Sequence, residues 1–93
     1  MTPEELLDKV SDRDSFIAFV TGLAAEREQA EQMERNEQGR YQLGGAHNWQ
    51  NRTISSFLYA SLAYVDAKPF HEPEAVPSWK MLADVLYHGK VYE

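Results

Sequence analysis

WQNRTISSFLYASLAYV, residues 49–65, is the stretch of sequence that decides the fold. Its apolar residues recur every three or four positions, which is the spacing of a helix with one buried face. Asn48 or Asn51 is predicted to cap the start of this helix, and Trp49 is predicted to pack on its first turn as a hydrophobic staple. The serines of the stretch, Ser61 included, are predicted to face solvent. The predicted buried face consists of Ile54, Phe57, Leu58, Leu62 and Val65.

Apolar patterns on either side of this stretch predict the helices against which it packs. Thr2 and Glu5 have the spacing of a capping box around Pro3, which indicates a short helix over residues 3–10. A long helix is predicted over residues 12–35 and the central one over residues 51–66. Ser78 is predicted to cap a last helix over residues 78–88, and Gly89 to end it.

The fold class that follows from these patterns is an all-α domain of three to four helices, with a single domain over residues 1–93. A short hairpin or extended piece near Tyr41 to Leu43 is the alternative to a loop there. Pro69, Pro73 and Pro77 exclude a regular helix between residues 66 and 77. Both tryptophans, Trp49 and Trp79, are predicted to be core residues, together with Phe16, Phe19, Val20, Leu23, Ile54, Phe57, Leu58, Leu62, Leu82 and Leu86.

Composition limits the class of protein. Fifteen acidic and nine basic residues give a net charge of -6, which opposes binding to a phosphate backbone. The absence of cysteine excludes thiol nucleophiles and zinc sites built on cysteine. The first residues lack the pattern of a secretory signal, and no stretch has the roughly 18 consecutive apolar residues of a membrane span. We therefore expect a cytoplasmic protein that binds neither nucleic acid nor membrane.

The second half of the chain carries a Trp-x-Asn-x-Thr helix start at Trp49, Asn51 and Thr53, followed by Phe57 and Leu58. Over about residues 11–93 the pattern resembles a family of small bacterial proteins, a domain of unknown function. The resemblance implies a conserved bacterial fold, and no activity, cofactor or site residue comes with it. The later residues that carry it are a Ser-Trp helix start and a Tyr-Glu end: Ser78, Trp79, Leu82, Ala83, Tyr92 and Glu93.

No group of residues has the spacing of a catalytic, cofactor or metal site. The three histidines, His47, His71 and His88, lie in different segments without a His-x-x-x-His or His-Glu-x-x-His pattern, so structural or exposed roles are predicted for them. An enzyme is not expected. The least favoured alternative is a small-ligand binder or enzyme whose pocket is formed by His47, Asn48, Arg52 and His71.

Small size, acidic charge and a rich set of aromatic residues are typical of a protein that acts by binding another protein. The leading hypothesis is a binding or regulatory module, such as an inhibitor or immunity-type factor, with a basic partner. The alternative is a homodimer in which a second copy covers an apolar stripe that is too wide for one small core. The candidate partner-binding residues are Glu26, Glu28 and Glu31, which are predicted to have no core role, and Tyr59, Tyr64 and Tyr92.

Overall fold

The computed structural model describes residues 1–67 and 77–92. The helices are α1 (Pro3–Asp8), α2 (Arg13–Asn36), α3 (Ile54–Ala67) and α4 (Trp79–Val91), with a single 3-10 turn at Ala46–Asn48. The described residues form no strand, so the all-α prediction is confirmed and the alternative hairpin near Tyr41 to Leu43 is not formed. Pro69, His71, Pro73 and Glu93 lie outside the described residues.

Short polar side chains fix where the helices begin. Thr2 caps α1 with the predicted capping box, and Ser78 caps α4. Asp12 caps α2 by accepting a hydrogen bond of 2.8 Å from the amide of Ser15. Each cap satisfies an amide that the first turn of a helix leaves without a partner, and α2 and α4 begin within one residue of the predicted positions.

Thr53 provides the start of α3. Its hydroxyl accepts a hydrogen bond of 3.1 Å from the amide of Ser56, and the hydroxyl of Ser56 accepts one of 3.2 Å from the amide of Thr53. Neither Asn48 nor Asn51 caps this helix, so that prediction was wrong, because the helix begins later than the sequence pattern suggested. Trp49 does pack on the first turn, as predicted: its ring stacks on that of Phe57, with 6.4 Å between the ring centroids.

Gly89 lies inside α4 and is buried, so the prediction that it ends the helix was wrong. A Cβ atom at this position would lie 2.5 Å from the Oγ of Ser61 and 2.7 Å from the ring of Phe57. The glycine therefore allows α3 to approach α4 closely. The close approach selects the side of α3 that carries its small residues, and Ser61, which was predicted to face solvent, is buried against α4.

The buried side of α3 is consequently not the predicted one. Ala60, Ser61 and Tyr64 are buried, whereas Ile54 is 82% exposed, Leu58 55% and Leu62 61%. The leucines are too large for the space opposite a glycine, so the helix is rotated and they point to solvent. Of the other predicted core residues, Phe19, Leu23 and Trp49 are buried, Phe16, Val20, Phe57 and Leu86 are half-buried, and Leu82 and Trp79 are exposed.

Helix α4 lies at the centre of the domain. Both α2 and α3 pack on it, α1 packs on α2 and α4, and the 3-10 turn packs on α2. The buried cluster joins Leu7 on α1 and Val10 just after it to Phe19 on α2, Trp49 in the loop and Ala83 on α4. Because α2 and α3 both pack on α4, a groove is left between them.

Candidate functional site

A buried lysine is the centre of a polar network that joins α2, α4 and the loop before α3. Lys90 on α4 is 1% exposed, and its Nζ lies 2.6 Å from Oε1 of Glu26 and 3.7 Å from Oε1 of Glu4. The indole Nε1 of Trp49 donates a hydrogen bond of 2.9 Å to the same oxygen of Glu26. An ammonium group in a protein interior is tolerated only when it is paired. Glu26 therefore helps to hold the fold together.

The backbone at the end of α4 holds the residues that precede α3. The amides of Gln50 and Asn51 both donate to the carbonyl oxygen of Lys90, at 3.1 and 3.2 Å. The side-chain amide of Asn51 donates to the carbonyl oxygen of Tyr92 at 2.9 Å. Asn51 thus ties the loop to α4 instead of capping α3.

Glu34, about two turns beyond Glu26 on α2, anchors the other end of this loop. Its carboxylate accepts two hydrogen bonds from Arg27, at 3.1 and 3.0 Å, and one of 3.0 Å from the amide of Ala46. Burial acts to raise the pKa of Glu34, but the hydrogen bonds from Arg27 and Ala46 outweigh it and hold the pKa below its ordinary value of 4.5. These contacts hold the C-terminal half of α2 against the loop.

The three glutamates proposed as partner-binding residues do not share one environment. Glu26 is enclosed by Lys90 and Trp49, so the prediction that it has no core role was wrong. Glu28 and Glu31 are exposed, and Glu31 remains 51% exposed although Arg27 lies 3.4 Å away. Glu28 and Glu31 therefore remain candidates for contact with a partner.

An open apolar groove with a volume of about 360 Å³ runs between α2 and α3. Glu31 and Arg52 line it alongside the apolar residues. A second depression continues along α2, shares Val20 and Ala24 with the first, and includes Glu28. The apolar residues that line the groove are Val20, Leu23, Ala24, Trp49, Ile54, Phe57 and Leu86.

A ridge of exposed aliphatic side chains lies beside this groove. Ile54, Leu58 and Leu62 follow one another at four-residue spacing on α3, so they form one stripe along its outer side. Ile54 belongs to both the stripe and the lining of the groove. We call the groove and this stripe together the apolar face. Contiguous exposed apolar surfaces of this kind mark sites of interaction, whereas single exposed leucines do not.

The three candidate tyrosines also differ in their exposure to solvent. Tyr59 is 73% exposed and remains a candidate. Tyr64 is buried and stacks on the ring of His88, with 3.8 Å between the ring centroids, while Tyr92 meets it edge-on at 5.9 Å. Burial, together with the charge of Asp84, raises the pKa of Tyr64. Tyr64 and the half-buried Tyr92 thus pack at the junction of α3 and α4.

Of the residues proposed for a small-ligand pocket, His47, Asn48 and Arg52 are not brought together, and His71 lies outside the described residues. His47 lies in a depression formed with the first residues of the chain and α2, whereas Arg52 lines the groove between α2 and α3. Asn48 is exposed. His47 and Asn48 have φ angles of 53° and 68°, a left-handed turn that positions Trp49. Among residues 1–67 and 77–92 no three His, Asp or Glu side chains are grouped as metal ligands would be.

Sequence reasoning missed Lys90, the residue on which the network depends. A lysine in the last turn of a helix is ordinary, because a positive charge is favourable there, and nothing in the local sequence marks this one as buried. The only available signal was indirect. The adjacent Gly89 indicates close packing, and close packing around a glycine also encloses its neighbours.

Comparison with known proteins identifies a family and no individual relative. The model of DUF7660, a family of unknown function, matches residues 12–93, from the cap of α2 onward. No curated protein and no solved structure matches the chain. In the part of the chain that the structure describes, no helix is both long and apolar enough to cross a membrane.

Proposed function

The chain belongs to the DUF7660 family, and we propose that it is a protein-binding or regulatory module that acts through the apolar face. The observation that carries the proposal is the exposure of Ile54, Leu58 and Leu62 beside a groove of the same apolar character. A contiguous exposed apolar surface, unlike single scattered leucines, is typical of a site that contacts another molecule.

The free energy available from this surface is sufficient for a specific complex. The exposed fractions of Ile54, Leu58 and Leu62 amount to about two whole aliphatic side chains. At about 1.5–3 kcal/mol for each side chain buried, covering them contributes about 3–6 kcal/mol before the groove is counted. Aliphatic anchors of this kind are what the groove-binding face of an amphipathic helix supplies.

The charge of the chain supports a basic partner. A net charge of -6 steers a positively charged protein toward this one, and Glu28 and Glu31 place negative charge beside the groove. An inhibitor or immunity-type factor that occupies a surface of a basic protein is the form of this proposal that fits the charge. As part of this proposal the protein works in the cytoplasm of a bacterium.

A binding role fits this surface better than catalysis or small-ligand binding. Active sites place a few polar groups so that they converge in a pocket. The charged groups that line the groove have partners within the protein: Arg27 lies 3.4 Å from Glu31, and Arg52 lies 3.9 Å from the carboxylate of Glu34. His47 lies elsewhere, beside α1 and α2.

The test is capture from the host with matched baits, followed by kinetics on what is captured. Wild type, Leu58→Glu and Ala63→Glu are used, because Ala63 is exposed on the same helix but outside the stripe. A partner should bind wild type and Ala63→Glu and be lost with Leu58→Glu. Its association rate should fall between about 50 and 300 mM salt, since screening shortens the reach of charge over this range. An acidic partner, or one that binds all three baits equally, would count against the proposal.

A further inference from the structure

We propose that in the free protein the apolar face is covered by the same face of a second copy, in a two-fold symmetric dimer. This inference rests on the proposed function in one respect, since it concerns the same face. It names what occupies that face when no other protein does.

The shape of the face supports self-association. A two-fold interface uses one patch twice, so the patch must be complementary to itself. Here the ridge of Ile54, Leu58 and Leu62 and the groove lined by Val20 and Ala24 lie side by side on one chain, with Ile54 common to both. A ridge beside a groove lets each copy fill the groove of the other at the same time.

The charges around the face are also complementary within such a pair. On α2, Glu31 lines the groove and Glu28 lines the adjoining depression, while Arg27 between them is already bound to Glu34. Arg52 lies just before α3, and its side chain is 34% exposed. When the α3 ridge of one copy enters the groove of the other, α3 of the first lies against α2 of the second. Arg52 of each copy then faces the acidic wall of its partner, and the contact occurs twice.

The net charge of -6 on each copy acts against the dimer, but it acts at a distance. At physiological ionic strength such repulsion is screened over about 8 Å, whereas apolar contact and local ion pairs act within that range. The dimer should therefore be weakest at low salt. This is the opposite of the salt dependence proposed above for a basic partner.

The dimer has a consequence for regulation. A face that is covered by a second copy is closed to any other protein, so self-association and partner binding exclude each other. A partner then binds the monomer and shifts the population away from the dimer. Dilution of the protein should increase the fraction that is competent to bind.

The first test is sedimentation velocity of the full chain from about 1 to about 100 μM, a range that spans dissociation constants of a moderate interface. Wild type should pass from monomer to dimer. Leu58→Glu and Leu62→Glu should raise the dissociation constant at least about a hundredfold, because each substitution occurs twice in the interface. Ala63→Glu should leave the dimer unchanged. Far-UV circular dichroism shows that each variant is folded.

The second test is a double-mutant cycle of Glu28→Ala and Arg52→Ala. Each single variant should raise the dissociation constant of the dimer about fivefold. The dissociation constant of the double variant should be no higher than that of the more affected single variant, because the two residues face each other across the interface. Fully additive effects would overturn the proposed two-fold arrangement.

A wild type that stays monomeric throughout, or a dimer that Leu58→Glu leaves intact, would overturn the inference. Its failure is distinguishable from failure of the proposed function. A monomeric protein whose Leu58→Glu variant loses a captured partner refutes the dimer alone. If the protein dimerises but the Leu58→Glu bait loses no captured protein, the dimer is supported and the proposed binding of another protein through this face is refuted.

Discussion

The substitution Glu26→Lys, compared with Glu28→Lys, tests the account of the fold most sharply. Both make the same change of charge, two residues apart on α2. Glu26 is enclosed and pairs with Lys90 at 2.6 Å, while Glu28 is exposed and pairs with no residue among those described. The sequence pattern alone gave the two residues equal roles, so the structure predicts a difference that the sequence did not.

The expected magnitude follows from the contacts of Glu26. Removing one partner of a buried ion pair costs about 3–5 kcal/mol, because the other charge stays buried without compensation. Loss of the hydrogen bond from Trp49 adds about 1 kcal/mol. A domain of this size has a total free energy of unfolding of about 5–10 kcal/mol. Glu26→Lys should remove half of it or more, whereas Glu28→Lys should change it by no more than about 0.5 kcal/mol.

Urea denaturation followed by far-UV circular dichroism measures both values, with a common slope fitted to the variants. A double variant, Glu26→Leu with Lys90→Met, should recover much of the loss, because it removes both charges from the interior. Equal stability of Glu26→Lys and Glu28→Lys would refute the argument that the Glu26 to Lys90 pair holds α2 against α4.

Three further predictions concern packing and pH. Trp49→Ala should cost about 3–5 kcal/mol and Trp79→Ala clearly less, because Trp49 is 4% exposed and Trp79 39%; denaturation curves with equal midpoints would contradict this. Gly89→Ala should destabilise by about 1–3 kcal/mol, whereas Gly39→Ala, which has no atom within 4 Å of the added methyl, should be nearly neutral in a thermal melt. The pKa of Glu34 is lowered in the folded state, so its ionised carboxylate stabilises the fold above pH 4.5, and this stabilisation is lost as the pH falls through the folded pKa. In denaturation curves measured at several pH values, Glu34→Gln should therefore lose less stability on acidification than wild type.

The helices themselves were predictable because their start signals are local. Thr2 with Glu5 and Ser78 with the turn that follows it act within three residues, and the structure forms both caps. Periodicity located α2 and α3 for the same reason, since a stripe at helical spacing is a property of one segment. The role of Asn51 in holding its loop to α4 was not predictable, because the carbonyl groups that it binds lie at the end of α4, about forty residues away.

The orientation of α3 was not predictable from its own sequence. A stripe of large aliphatic residues normally indicates the buried side, but here the small residues Ala60 and Ser61 are buried, because α3 packs closely on α4 where Ser61 meets Gly89. The choice depends on the neighbour and not on the helix. The same circumstance exposes Leu58 and Leu62, so the error in the predicted core and the location of the candidate site have one cause.

The central claim is that the stripe on α3 contacts another protein chain, and site-specific photo-crosslinking tests it most directly. The chain has no cysteine, so Leu58→Cys and Ala63→Cys each provide one attachment point for a photoreactive group. In a lysate of the host the account predicts covalent adducts from position 58, to a partner or to a second copy, and none above background from position 63. Adducts in equal amounts from both positions, or none from position 58, would contradict it.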